Sequence, residues 1–212
     1  MKRWIAAAIL VTLGRAASAE DVHQYVGAAK CKSCHAKELI GDQYGTWKAK
    51  DPHHRAFETL KNEASRAIAA KRGLASPAHE APECLECHVT AFGAPATQIA
   101  TPLDPAEGVQ CESCHGPGRD YRKKKVMSDH EQAHAKGLWH ADDDPAICTT
   151  CHNERSSTFD AKRYTLPGGK TAGFDFEQAK QRIAHPIPED VKGRYLELEK
   201  ARRAAGDPEH EE

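Results

Sequence analysis

Apolar residues in this chain recur at helical spacing in short stretches separated by loops rich in proline and glycine. The clearest stretch follows Asp51 and Pro52, a pair typical of a helix N-cap and first helical position. It predicts a helix that ends near Gly73 and carries regularly spaced apolar residues at Ala56, Phe57, Leu60, Ala64, Ala67 and Ile68.

Further helices are predicted over residues 129–136, stopped by Gly137, over 175–184, interrupted by Pro186, and over 189–205. No stretch alternates apolar and polar residues over several positions, so little β-structure is expected. Together these patterns indicate a mainly α, loop-rich fold.

Four five-residue words recur along the chain, and each reads C-x-x-C-H. Their cysteines and histidines are Cys31, Cys34 and His35; Cys84, Cys87 and His88; Cys111, Cys114 and His115; and Cys148, Cys151 and His152. Two thiols three positions apart lie on neighbouring points of a helical turn, where they can form thioether bonds to the two vinyl groups of a porphyrin. The histidine that follows can ligate the porphyrin iron. We call these motifs haem words one to four; they predict four covalently attached c-type haems.

Paired C-x-x-C motifs also bind zinc, so a zinc-binding module is the competing interpretation. With 13 histidines in 212 residues, four such pairs would all be followed by histidine with a probability on the order of 10⁻⁵. All 8 cysteines belong to the words, which leaves none for a disulfide or a nucleophile. Haem attachment is the favoured interpretation.

The amino-acid composition indicates that the haems contribute to the hydrophobic core. Only 39% of the residues are hydrophobic and 29% are charged, which is a poor supply for an ordinary core. Porphyrins are large apolar discs around which the chain can pack, so we expect the haem-free chain not to fold.

Residues 1–19 have the pattern of a secretory signal. Lys2 and Arg3 precede an apolar run of about ten residues, too short to span a bilayer, and a small-residue cleavage site ends at Ala19. Since c-type haem is attached outside the bacterial cytoplasm, we expect a periplasmic chain with no membrane span after cleavage. Residues 20–205 would then form the tetrahaem domain and 206–212 an acidic tail. Loss of three cations changes the formal net charge from −1 to −4, which argues against nucleic-acid binding.

The sixth ligand of each iron decides between electron transfer and chemistry on a bound molecule. Met127 is the one methionine left after cleavage. The histidines outside the words are His23, His53, His54, His79, His130, His134, His140, His185 and His210. Their abundance predicts several bis-histidine irons with low reduction potentials.

The stretches around the second and third words, residues 84–93 and 108–119, resemble haem sites of the tetrahaem cytochrome c-554 family. Residues 53–60 resemble the helix that carries a distal histidine in this family. The resemblance extends over about residues 26–185 and implies a mainly helical, periplasmic electron carrier. It suggests hydroxylamine oxidoreductase as the electron donor, with a quinone-linked or small cytochrome as the acceptor.

The resemblance also implies distal histidines for three of the haems. The implied pairs, proximal residue first, are His115 with His53 or its competitor His54, His35 with His130 or else His134, and His152 with His185 or else His140. The haem held by His88 resembles the family's site that lacks a protein ligand on its open face.

Electron transfer between periplasmic redox partners is the function these observations favour. The alternative is reduction of a small nitrogen oxide, such as nitric oxide, at the open iron expected beside His88. A basic run at residues 119–125 is open to three interpretations: a solvated face, a clamp for haem propionates, or a docking surface for an acidic partner.

Overall fold

A computed structural model describes residues 22–192 and residues 194, 197, 201, 204 and 205. The expected signal peptide and acidic tail lie outside the described residues. The α-helices of the described part, in chain order, are α1 (Ala29–His35), α2 (Gln43–Lys50), α3 (Ala56–Thr59), α4 (Glu63–Lys71), α5 (Pro82–His88), α6 (Glu112–His115), α7 (Lys124–Met127), α8 (His130–Ala135), α9 (Pro145–Thr149) and α10 (Phe176–Ile183).

β-Structure is scarce in the part of the chain that the structure describes. Strands β1 (Tyr164–Thr165) and β2 (Thr171–Ala172) pair in antiparallel fashion, and one bridge joins Tyr25 to Ile99. Short 3₁₀ helices lie at Glu38–Ile40, Pro52–Arg55, Ala96–Gln98, Pro105–Glu107 and Pro167–Gly169. The expected mainly α, loop-rich fold is confirmed.

Each haem word coincides with a short helix. Words one and two form the ends of α1 and α5, word three forms α6, and word four begins within α9. Pro82 and Pro145 occupy the first helical positions of α5 and α9, where a missing N–H costs no hydrogen bond. The helical turn therefore sets the three-residue spacing of the thiols.

The long helix predicted after Asp51 is interrupted, and that prediction is wrong in its length. Asp51 does cap the segment, since its carboxylate accepts a hydrogen bond from the His53 backbone N–H at 2.9 Å. A break between α3 and α4 follows, because Asn62 caps α4 by accepting from the Ser65 N–H at 2.8 Å. The Ser65 hydroxyl also donates to the Thr59 carbonyl at 2.7 Å. These side-chain bonds satisfy backbone groups that a continuous helix would have paired.

Two other predicted helices are confirmed. Helix α8 follows its cap Asp129 and stops before Gly137, whose φ of 100° ends a helix readily. Helix α10 follows Asp175, which accepts from the Gln178 N–H at 2.9 Å. The helix predicted over residues 189–205 lies largely outside the described residues, and residues 189–192 form a turn.

The described part buries little apolar surface in two small clusters. One joins Ala28 to Tyr44 and Trp47 of α2, a helix that sequence analysis did not anticipate. The other cluster consists of Leu60, Ala69 and Ala78. No helix in the described ranges is both long and apolar enough to cross a membrane.

Candidate haem-binding site

The proximal histidine of word two is oriented by the backbone. His88 Nδ1 lies 2.7 Å from the Ala56 carbonyl oxygen, so Nδ1–H donates and the lone pair of Nε2 points away from this bond. Metal-ligating histidines commonly donate their second ring N–H in this way. His88 therefore has the arrangement that an axial ligand requires.

The other proximal histidines are kept neutral by their surroundings. Burial and the nearby His185 lower the pKa of His115 to about 4. Burial lowers the pKa of His35, although a hydrogen bond with Gln43 opposes it. Burial and the nearby His53 lower the pKa of His152. Since only neutral imidazole binds a metal, these environments favour ligation.

In two pairs of histidine rings, the ring centres are separated by the distance expected when one iron lies between them. The ring centres of His53 and His152 are 5.9 Å apart and their planes are 78° apart. Those of His115 and His185 are 6.0 Å apart, with an angle of 24°. Two imidazoles bonded to one metal from opposite sides, each at about 2 Å, have ring centres about 6 Å apart.

The resemblance implied the reverse arrangement, His53 with His115 and His185 with His152, whereas the structure brings His53 to His152 and His185 to His115. Sequence order placed His185, the latest distal candidate, with the last haem word. In the structure, the segment after α10 returns to Gly41, whose surroundings include Pro186 and Pro188. This return brings the His185 ring beside His115 of word three. The ring that lies near His152 is then that of His53.

The histidines of residues 130–140 gather into one cluster. Nε2 of His134 lies 3.1 Å from Nε2 of His130, and Nδ1 of His134 lies 2.7 Å from the Leu138 carbonyl oxygen. The His134 and His140 rings stack with their centres 3.7 Å apart. Within the described part, none of the three rings pairs with His35. Of the cluster, His134 alone has its Nδ1 held by a carbonyl, as an iron ligand would.

The competitor His54 points elsewhere. Its ring meets the edge of Trp47 with the two ring centres 4.6 Å apart, within the first apolar cluster. The Trp47 Nε1–H in turn donates to the Val109 carbonyl at 3.0 Å. His54 is therefore a packing residue, and His53 is the histidine of this pair that faces another haem word.

The cysteines connect the four words in a defined spatial order. The Cys31 and Cys111 thiols are hydrogen-bonded, which joins words one and three. Burial and the nearby Cys148 raise the pKa of Cys114 to about 11, which places words three and four together. Burial and the neighbouring Cys87 raise the pKa of Cys151 to about 12, which places words four and two together. The spatial order is therefore one, three, four, two.

A cavity of about 710 Å³ lies between words two and four. Cys87 and Cys151 line it, together with His134, His140 and Trp139. Its size is that of a pocket for a small molecule or cofactor. A cavity lined by thiols of two haem words fits covalently held porphyrin.

Glu112, inside word three, is a residue whose role sequence analysis missed. Its side chain is 0% exposed, and its two oxygens accept hydrogen bonds from the backbone N–H groups of Val26, Gly27 and Gly118. The distances run from 2.6 to 3.1 Å. Glu112 therefore ties the chain before word one to the turn after word three. A charged residue within a haem word gave no signal of this role.

Comparison with known proteins finds similarity to one group of cytochromes. The family model described as cytochrome c554 and c-prime matches residues 30–116, which contain haem words one to three. A curated relative, cytochrome c-554 of Nitrosomonas europaea, is 36% identical over 121 residues, covering 56% of this chain and 49% of the relative. Residues 30–116 of this chain are therefore similar to the cytochrome c554 family. The matched region thus spans about half the length of this curated family member.

The solved structure of reduced cytochrome c554 from the same organism is also similar. It covers 81% of this chain and 82% of its own, with 25% sequence identity and a TM-score of 0.46. The matches to the family model and to the curated relative agree with the expected class, a c-type cytochrome with covalently bound haem c.

Proposed function

We propose that this chain is an electron carrier with four haems arranged as one continuous relay. The observation that carries the proposal is the spatial order of the thiols, in which consecutive haem words lie close enough for their cysteines to influence one another. Bound haem supplies one-electron chemistry at its iron. The chain supplies covalent attachment, axial imidazoles and apolar surroundings that tune each potential.

The axial ligands follow from the ring pairs. We assign His53 to the haem of His152 and His185 to the haem of His115, on their separations of 5.9 and 6.0 Å. His134, with His130 and His140 beside it, is the histidine nearest in arrangement to a ligand for the haem of His35. For the haem of His88, the resemblance of residues 84–93 to the family's site without a second protein ligand supports an open iron.

Location and partners are part of the same proposal. The signal pattern of residues 1–19 supports export to the periplasm, where the relay would connect two redox proteins. The resemblance described in the sequence analysis suggests hydroxylamine oxidoreductase as the donor, and we propose a quinone-linked or small cytochrome as the acceptor.

A carrier and an enzyme differ in what the reduced protein does with an acceptor. We expect the fully reduced holoprotein to deliver four electrons per chain to ferricyanide, because each attached haem stores one. With nitric oxide and excess dithionite we expect no steady consumption, since a carrier only passes electrons on. Steady turnover of nitric oxide, lost when the open iron is blocked by cyanide, would instead establish the reductase function.

The basic run at residues 119–125 lies near haem word one, where we propose that electrons enter or leave. All of its cations are exposed, and Arg122 is close enough to Cys31 to act on the pKa of that thiol. Buried Tyr121 anchors the run, because its hydroxyl donates to the Gly116 carbonyl at 2.8 Å. A cationic surface beside a haem attracts an acidic redox partner.

Small charged oxidants test this surface. In the triple variant R122Q/K123Q/K125Q, we expect oxidation of the reduced protein by tris(oxalato)cobaltate(III) to slow about fivefold at low ionic strength. Oxidation by the cation tris(phenanthroline)cobalt(III) should not slow. The matched control K71Q/K162Q/K170Q removes three exposed cations elsewhere. Equal rates for the two triple variants would contradict a role for residues 119–125.

A further inference from the structure

Three aspartate–proline caps in this chain share one backbone geometry. The carboxylates of Asp51, Asp104 and Asp144 each accept, at 2.9 Å, from the backbone N–H two residues later. Of these three caps, Asp51 alone also meets a histidine ring. Its Oδ1 lies 2.9 Å from Nδ1 of His53, and its side chain is only 9% exposed.

We propose that Asp51 is a positioning residue that holds His53 as a strongly basic axial ligand and thereby favours the oxidised state of the haem at His152. This inference rests on the proposed pairing of His53 with His152. It assigns to Asp51 a role in setting a reduction potential, in addition to capping the segment.

The chemistry follows from the hydrogen bond. Nδ1–H of His53 donates to the carboxylate, which fixes the tautomer and leaves the Nε2 lone pair for the iron. A carboxylate acceptor makes Nε2 a better electron donor than a neutral acceptor does, so it stabilises the ferric ion more than the ferrous ion. Reduction adds one electron to the iron, breaks no bond and leaves the Nδ1 proton in its hydrogen bond.

The surroundings of Asp51 preserve this effect. The Asp51 side chain is only 9% exposed, so its interaction with the His53 ring 2.9 Å away is weakly screened by solvent and salt. By contrast, His88 and His134 direct Nδ1 to the neutral carbonyls of Ala56 and Leu138.

Asp51→Asn is the sharpest test, because asparagine keeps an oxygen acceptor for both hydrogen bonds and removes the charge. In a spectroelectrochemical titration of the holoprotein, with dithionite as reductant, we expect one haem to become about tenfold easier to reduce, or about 59 mV for one electron. The matched control is Asp144→Asn. It removes the same charge from the same kind of cap, close to Cys148 of word four, but touches no histidine ring. We expect its shift to be below about twofold.

Spin counting by electron paramagnetic resonance separates the two proposals. Asp51→Asn should leave the number of low-spin haems unchanged, whereas His53→Ala should convert one low-spin haem to high spin. The two ring pairs differ in interplanar angle, 78° against 24°, so their low-spin signals are distinguishable.

The outcomes are decisive in each case. If His53→Ala leaves the low-spin count unchanged, the ligand assignment fails and the role of Asp51 falls with it. If His53→Ala acts as expected but Asp51→Asn shifts no haem beyond the Asp144→Asn control, only the role of Asp51 is overturned. Asp51→Ser, which retains a good capping residue, provides a second variant and should reproduce the shift.

Discussion

A chain without its haems should show no cooperative unfolding transition. Within the described part, 13 hydrophobic residues are buried and five of them are alanines, which contribute little transfer free energy. Native domains are stable by only about 5–15 kcal/mol, so a core this small cannot offset the conformational entropy of folding. Four porphyrins, packed between the haem words, would supply the missing apolar contacts. We therefore expect the free energy of unfolding of the haem-free chain to fall to about zero.

The experiment replaces all eight word cysteines by serine in the exported chain and follows far-ultraviolet circular dichroism during heating. The holoprotein, with the added mass of four haems, should melt cooperatively as the control. A variant lacking only Cys84 and Cys87 should lose one haem and retain a transition. A sharp thermal transition in the cysteine-free chain would contradict the dependence of the fold on haem.

Glu112→Gln should destabilise the holoprotein by about 3–5 kcal/mol. The buried side chain accepts from three backbone N–H groups, and glutamine would turn an NH₂ group toward at least one of them. Buried donors that lose their acceptor cost about 1–3 kcal/mol each. The loss is a large share of the stability of a typical domain.

Glu86→Gln is the matched control, because Glu86 also lies inside a haem word. Its side chain is 44% exposed and contacts Arg155 at 2.9 Å on the surface. Such pairs contribute about 0–1 kcal/mol. Guanidinium unfolding of the two holoproteins, followed at the haem absorbance, measures the difference. Equal midpoints for the two variants would show that the Glu112 hydrogen bonds do not stabilise the fold.

Local signals in the sequence were sufficient to locate the haem words and to predict where three helical segments begin. The caps at Asp51, Asp129 and Asp175 act through side chains that bond to the next turn, so their effect can be predicted from neighbouring residues alone. The break at Asn62 depends on a Ser65 hydroxyl that reaches back to Thr59, a competition that apolar spacing does not reveal. Helix α2 was missed because Tyr44 and Trp47 are buried by distant segments.

The site was harder to predict, because its partners are far apart in sequence. The words themselves follow from spacing, but the choice of distal histidine depends on how the chain returns after α10. His185 lies 70 positions after His115 and 33 after His152, so separation in sequence favoured His152, whereas the structure brings His185 beside His115. Glu112 was equally hidden, because two of the three backbone groups that it binds, those of Val26 and Gly27, lie about 85 residues earlier in the chain.

The segment just before word three serves several sites at once. The Val109 N–H donates to the His53 carbonyl at 3.0 Å, and the Gly108 carbonyl accepts from the Thr90 N–H at 3.1 Å. A side chain at position 108 would collide with the His53 and His54 carbonyl oxygens. Local unfolding of residues 108 and 109 would thus disturb the surroundings of the second, third and fourth haem words at the same time. On heating, the surroundings of these three haem words should therefore unfold in one cooperative transition.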